Sequence, residues 1–318
     1  MLSRFSVIFR AQPLLTLATL LNIGLLPIAL IGLAFDPRTV LAAPAWAKVT
    51  KFAASVIIYG VTLIPILMHL TRRPRAARII SDIVGAMLLL EIALIVLQTL
   101  RGTPSHFNYA TPFDAVVFTT MGIGISTLWI ASLVAALLLL QEKFLTRTTA
   151  WGTRLGMMIS IIGMALAFFM TSPNTTQITA LQGGQVLEQL GAHNVNALVD
   201  GQTRMIPLLG WNLDGGDLRV AHFIGLHGLQ AIPLLAWALQ RMRPSPLRDE
   251  DRAVLVAVGA AAYLGVTLVT LWQALRDESI AAPSTVTLAV LGVLAGAAAI
   301  ATIAMIVIAR RRIHFIPA

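Results

Sequence analysis

Long apolar runs, each about the length of a bilayer crossing, alternate along this chain with short polar segments. Eight of them qualify, at 13–35, 52–70, 79–100, 113–140, 151–171, 220–240, 253–274 and 286–309. A membrane-spanning helix needs about 20 mostly apolar residues, so each run predicts one transmembrane helix. The fourth is long enough to tilt or to begin outside the hydrocarbon. The expected fold is an all-α polytopic bundle of about eight helices, with residues 1–318 forming a single transmembrane domain. The first run follows Arg4 and Arg10, and Ala43-Pro44-Ala45 has the small residues of a cleavage site. Its apolar stretch exceeds the roughly 7–15 residues of a signal-peptide core, which favours an uncleaved helix.

Composition agrees with lipid as the main solvent. Hydrophobic residues make up 57% of the chain, charged residues only 12%, and the mean hydropathy is +0.83. A soluble domain carries about a quarter charged residues, so too little charge is available to cover a water-exposed surface. The net charge of +9 would suggest nucleic acid in a soluble protein. No basic face with interleaved aromatics is present, and the charge fits topology instead. With the N-terminus inside, the inner segments hold sixteen Lys/Arg and the outer segments seven. Basic residues mark cytoplasmic loops, so the bias places both termini in the cytoplasm and the chain in a bacterial-type inner membrane. The absence of cysteine excludes disulfides, thiolate metal sites and a cysteine nucleophile.

The longest extramembrane stretch, 172–219, then lies outside. Within it Gln185 to Leu190 is expected to form a short helix ended by Gly191, and Asp214-Gly215-Gly216-Asp217 is turn chemistry. Thr111, Pro112 and Asp114 read as cap, first residue and first-turn acid of the fourth helix. Gly156, Ser160, Gly163 and Ala167 share a face of the fifth helix, and Gly292 and Gly296 form a GxxxG in the eighth. Both are expected to serve packing within the bundle.

Ionisable groups at bilayer depth are costly and usually face the bundle interior. Glu91 sits mid-way along the third helix, with Gln98 on the same face. Lys51, Ser55, Tyr59 and Thr62 form a polar stripe on the second helix. The sixth helix opens with Asp217 and Arg219 and carries His222, His227 and Gln230. The two histidines are five residues apart, a poor spacing for one metal ion on one helix. The outer loop between the third and fourth helices holds Arg101, Ser105, His106 and Asn108. The expected ligand-binding set is therefore Glu91, Gln98, Arg101, Ser105, Asn108, Asp114, Asp217, Arg219 and Gln230, with His106, His222 and His227 as candidate metal ligands. It requires the stretches 91–114 and 214–230 to converge near one outward-facing cavity.

Three sequence blocks carry a resemblance. They are Pro44-Ala45-Trp46-Ala47-Lys48 with Lys51-Phe52, Arg101-Gly102 with Ser105-His106-Phe107-Asn108 and Thr111-Pro112-Phe113-Asp114, and Gly216-Asp217-Leu218-Arg219 with His222-Phe223 and Gly225-Leu226-His227. Together these resemble a group of uncharacterised bacterial multi-pass membrane proteins over roughly 36–240. The resemblance implies a shared membrane fold and no particular activity.

Three functions fit these residues. The first is an outward His/carboxylate site binding haem or a transition metal, since neutral imidazole suits both. The second is a transporter or sensor of a small molecule, with Glu91 as intramembrane proton or solute site. The third is a membrane-embedded lipid-modifying enzyme using His106 or His227 as base and Ser105 as nucleophile. It carries the objection that neighbours in sequence do not face each other by default. Walker A, Gly-rich dinucleotide, HExxH and Gly-x-Ser-x-Gly signatures are absent, which argues against a nucleotide-driven pump and the common zinc proteases.

Overall fold

A computed structural model describes residues 2–196, 203–242 and 246–314. Among them eight helices are long and apolar enough to cross a membrane. A short helix α1 (Leu2–Ala11) leads into α2 (Pro13–Phe35), and a two-residue hairpin, β1 (Thr39–Val40) and β2 (Ala43–Pro44), connects to α3 (Ala47–Leu67). There follow α4 (Pro74–Arg101), α5 (Pro112–Leu140) and α6 (Arg147–Ala165), which continues as a 3-10 turn over Leu166–Met170. After the short α7 (Thr175–Gln182) come α8 (Leu218–Arg241), α9 (Asp249–Leu275) and α10 (Thr285–His314). Arg243, one of the basic residues counted on the inner side, and part of the long loop, 197–202, lie outside the described residues.

The helices begin up to five residues before their apolar runs because their caps stand in polar ground. Pro74 occupies the first turn of α4, Thr146 caps α6 through the Thr149 amide, and the Asp251 carboxylate accepts from the Arg248 amide at 2.9 Å at the start of α9. The α6 start is held from a neighbour as well. The Asp249 carboxylate accepts from the Arg147 amide at 2.6 Å and from the Thr148 hydroxyl at 2.6 Å.

Helices α2, α3 and α4 pack as one group and α6, α8 and α9 as another, with α5 against both α4 and α6. One apolar core joins them, running from Leu15, Leu63 and Val84 through Leu128 and Met157 to Leu229. The α6 and α8 backbones come closest. A Cβ at Gly163 would overlap the Gly225 backbone, and one at Gly156 would meet Pro233 and the Gly228 carbonyl. The expected small-residue face on the fifth span therefore packs internally. The GxxxG of the last span does not. Nothing lies within 4 Å of a Cβ placed on Gly292 or Gly296, because α10 packs chiefly along α9 and turns these glycines away from it.

The expected helix over Gln185–Leu190 is also displaced. The helix is α7, started by Asn174, whose side chain accepts from the Gln177 amide while the Gln177 side chain returns to the Asn174 amide. Gly183 and Gly184 end it, and 185–190 run extended to pair Gln189 with Asn108.

Candidate functional site

Alternating spans bring the segments 36–46, 102–111, 171–196, 203–217 and 276–284 to one end of the bundle, where they hold one another. Arg38 donates to the Leu100 carbonyl at 3.1 Å, Lys51 to the Leu209 carbonyl at 3.0 Å, and the Gly216 amide to Asp277 at 3.0 Å. A cavity of about 160 Å³ opens among them.

The 102–111 loop forms the floor of this cavity. Helix α4 stops at Gly102, whose φ of +71° needs glycine, and the Thr103 amide reaches back to the Gln98 carbonyl at 3.1 Å. Asn108 then folds the loop on itself, donating to Thr103 Oγ1 and the Pro104 carbonyl, both at 2.9 Å. Its pairing with Gln189 brings two backbone bonds, Tyr109 amide to Glu188 carbonyl at 2.7 Å and Leu190 amide to Phe107 carbonyl at 3.1 Å. Buried Gln177 fixes that strand in turn, accepting from the Gly191 amide at 3.0 Å and donating to the Gln189 and Gly191 carbonyls. Phe107 takes a left-handed φ of +59° against Phe118 and His193.

This construction turns His106 into the bundle. Its Nε2 lies 3.5 Å from Glu91 Oε1, and its Nδ1 lies 3.1 Å from Ser105 Oγ. The neighbours Ser105 and His106 thus do face each other, against the expectation from adjacency. The rings of Phe52, Phe107 and Phe118 stand around the imidazole at 5.8, 6.1 and 6.0 Å. Burial, with the positive charge of Lys48 and the neighbouring His193, holds the His106 pKa well below the usual histidine range. His106 is therefore neutral at pH 7.

The cavity walls are basic. Lys48, Lys51 and Arg219 line it with Ser105, His106 and His193, and none of the described lining residues is acidic. Arg219 is clamped by Asp217, Nε at 2.9 Å and Nη2 at 2.6 Å, which leaves Nη1 toward the cavity. A Cβ on Gly210 would sit 3.5 Å from Lys51 Nζ and 3.6 Å from Arg219 Nη1, so two cations converge on one backbone position. Val40, Leu41, Pro44, Phe52 and Met205 make the rest of the wall apolar.

The other expected site residues divide between structure and periphery. Buried Gln98 and Asp114 and the partly exposed Arg101 form a cluster joining α4 to α5. Gln98 Nε2 donates to Asp114 at 2.8 Å, Arg101 bonds both, and the Thr111 hydroxyl adds a bond at 2.6 Å. His222 spends Nδ1 on the Gly163 carbonyl at 2.7 Å, pinning α8 to α6. His227 meets Gln230 at 3.2 Å, and Gln230 reaches Thr62 on α3 at 3.2 Å. The stretches 91–114 and 214–230 therefore reach one cavity, through His106 and Arg219, while His222, His227 and Gln230 do not line it. The metal centre expected at His106, His222 and His227 is not assembled. Among the described residues no three His, Cys, Asp or Glu side chains are grouped to hold an ion. The polar stripe on the second span also splits, Lys51 to the cavity, Tyr59 to Ser132 on α5 at 3.1 Å, and Thr62 to α8.

The chain matches no protein-family model, no curated protein and no solved structure.

Lys48, Phe52 and His193 are the cavity residues that sequence reasoning left without a role. Lys48 and Phe52 lie in the Pro44–Phe52 block singled out above, a local signal that was available. His193 had none, since only the folding of the long loop brings it to Phe107.

Proposed function

We propose that this chain is a small-molecule binding protein of a cytoplasmic membrane, of the carrier or receptor class, whose ligand is a small amphipathic anion. The observation that carries this reading is the basic, acid-free lining at one end of the bundle, with Lys51 and Arg219 converging on Gly210. Asp217 offsets the Arg219 charge, and the cations that remain leave the site net positive, which an anion complements. The apolar wall beside them takes a short hydrocarbon portion. At about 160 Å³ the cavity is below the ~300–1,000 Å³ of drug-sized pockets, which indicates a ligand of metabolite or headgroup size.

The distribution of Lys and Arg supports an outward-facing cavity. The sixteen Lys and Arg that the sequence assigns to the inner segments support a cytoplasmic placement of the opposite end and of both termini. The shared fold suggested by the Pro44–Phe52, Arg101–Asp114 and Gly216–His227 blocks extends the proposal to proteins that carry them, since these blocks supply most of the cavity wall. A metal or haem role at the same histidines has less support. His222 is engaged in helix packing, His227 meets Gln230 of its own helix, and His106 lies between Ser105 and Glu91.

Thermal unfolding of the detergent-purified protein with hexanoate, hexyl phosphate, hexanol and hexylammonium tests the reading. One or both anions should stabilise the protein saturably, by about 2.7 kcal/mol at a hundredfold excess over Kd, and Lys51→Met should weaken that binding about tenfold. Equal stabilisation by hexylammonium, or none by either anion, overturns it.

A further inference from the structure

Ligand binding alone does not account for the arrangement beneath the cavity. Ser105 is 4% exposed, lines the cavity, and bonds His106 Nδ1. On the far side of the ring Nε2 faces the Glu91 carboxyl. A neutral imidazole carries one N–H. When Glu91 is ionised it can only accept, so that proton then belongs on Nε2, 3.5 Å from the carboxylate, and Nδ1 offers its lone pair to the Ser105 hydroxyl. Hydroxyl to imidazole to carboxylate is the order that activates a serine nucleophile, here with the two ring nitrogens exchanged. The neutrality of His106 keeps that lone pair available at pH 7, and three phenyl rings pack around the imidazole while one side of it stays open to the cavity. A purely structural role for His106 would be met by glutamine at position 91. An acid at the centre of a span costs about 2.5–3.5 kcal/mol, and its presence behind the imidazole calls for a use.

We propose that Ser105 is the nucleophile and His106 the general base of a carboxylic-ester hydrolase, with Glu91 as the positioning residue, acting on esters that carry a second, anionic group. Ser105 Oγ bonds to the acyl carbon while His106 Nδ1 takes the hydroxyl proton. The carbon–oxygen bond to the alcohol then breaks, and the alcohol leaves with that proton. A water molecule, deprotonated by the same nitrogen, attacks the acyl-serine, releasing the acid and restoring Ser105. Only the preference for an anionic ester rests on the binding reading above. The nucleophile rests on the Ser105–His106–Glu91 geometry.

The test uses the full chain in lipid nanodiscs. It is treated with a fluorophosphonate, the adduct is located by peptide mass spectrometry, and hydrolysis of 4-nitrophenyl hydrogen glutarate is compared with that of 4-nitrophenyl butyrate. The adduct is expected on Ser105 and absent from Ser105→Ala. Turnover should fall about 10²–10⁴-fold in His106→Gln. Glu91→Gln should lower kcat with KM unchanged and displace the acid limb of the pH profile, which a merely structural contact would not do. An unlabelled wild-type Ser105, or hydrolysis that survives Ser105→Ala, overturns the nucleophile. If hexyl phosphate still stabilises the unlabelled protein, the binding reading stands apart from that failure. A labelled Ser105 that shows no preference for the anionic half-ester confirms the nucleophile and removes the substrate preference. Because the wild-type adduct is mapped directly, the result holds even if a variant fails to fold.

Discussion

Removing the Arg101 charge should destabilise the protein through the carboxylate it leaves behind. Asp114 lies at the first turn of α5 with its side chain 3% exposed, and it accepts from Gln98, Thr111 and Arg101. Breaking a buried ion pair by deleting one partner costs about 3–5 kcal/mol. Two features reduce that here. The Arg101 side chain is 36% exposed, so part of its charge is already in water. In Arg101→Leu the carboxylate also keeps two neutral donors and the α5 N-terminus. About 2 kcal/mol remains, or about 4 °C in Tm at the ~2 °C per kcal/mol of larger domains. Asp114→Asn should cost less, because the guanidinium can turn to water over Phe113, which it already covers at 4.5 Å. The double variant Arg101→Leu/Asp114→Asn holds no orphaned charge, so its loss should be smaller than the sum of the single losses by about 1 kcal/mol or more. Thermal unfolding in one detergent, read by intrinsic fluorescence, measures all four proteins. An unchanged Arg101→Leu, or strict additivity, would refute the reasoning.

Two further outcomes follow from the packing and from His106. Gly163→Leu should lower the yield of folded, monodisperse protein on size-exclusion chromatography, because its side chain meets the Gly225 backbone and overpacking costs about 1–3 kcal/mol. Gly292→Leu, which meets nothing within 4 Å, should elute as wild type. A folded form that keeps His106 neutral refuses a proton that the unfolded chain accepts below its ordinary value of 6.5. Stability should therefore fall as pH drops below about 6.5, and His106→Phe should flatten that part of a Tm-versus-pH curve.

The spans were legible because lipid leaves no alternative. A backbone inside hydrocarbon must satisfy its own hydrogen bonds, so each apolar run of sufficient length becomes a helix whatever its neighbours. Within the site, legibility followed the same line. Glu91 and Arg219 stood out as charges at or near bilayer depth, and Thr111 with Asp114 as cap chemistry. The hairpin at 39–44 gave no turn signal, since Leu41 and Ala42 hold φ of +52° and +59° without glycine or asparagine. The hydrogen bonds of Gln177 to 189–191 are long-range and have no sequence period. His222 and His227 misled because an imidazole in a span reads as a ligand. Here each one's Nδ1 meets a neighbour in the packing, His222 the Gly163 carbonyl and His227 the Gln230 side chain.

The position of the strained residues ties the loop architecture to the cavity. Non-glycine residues at positive φ cost about 1–3 kcal/mol each and persist only where the surroundings over-determine them. Leu41 and Phe107 are two such residues, and both line the cavity, one on its rim and one on its floor. Phe107 immediately follows His106. Its left-handed turn lets Ser105 and His106 point inward while Asn108 returns to the loop, and the extended Gln185–Leu190 segment holds that turn in place through Gln177. The helices alone bring Lys51 and Arg219 to one end of the bundle and set Glu91 deeper within its span. Setting an imidazole between Glu91 and Ser105 requires the loop, the left-handed Phe107 and the α7 brace together. A site intended only to collect an anion would gain nothing from that cost, whereas one that must present a hydroxyl to an imidazole at 3.1 Å depends on it.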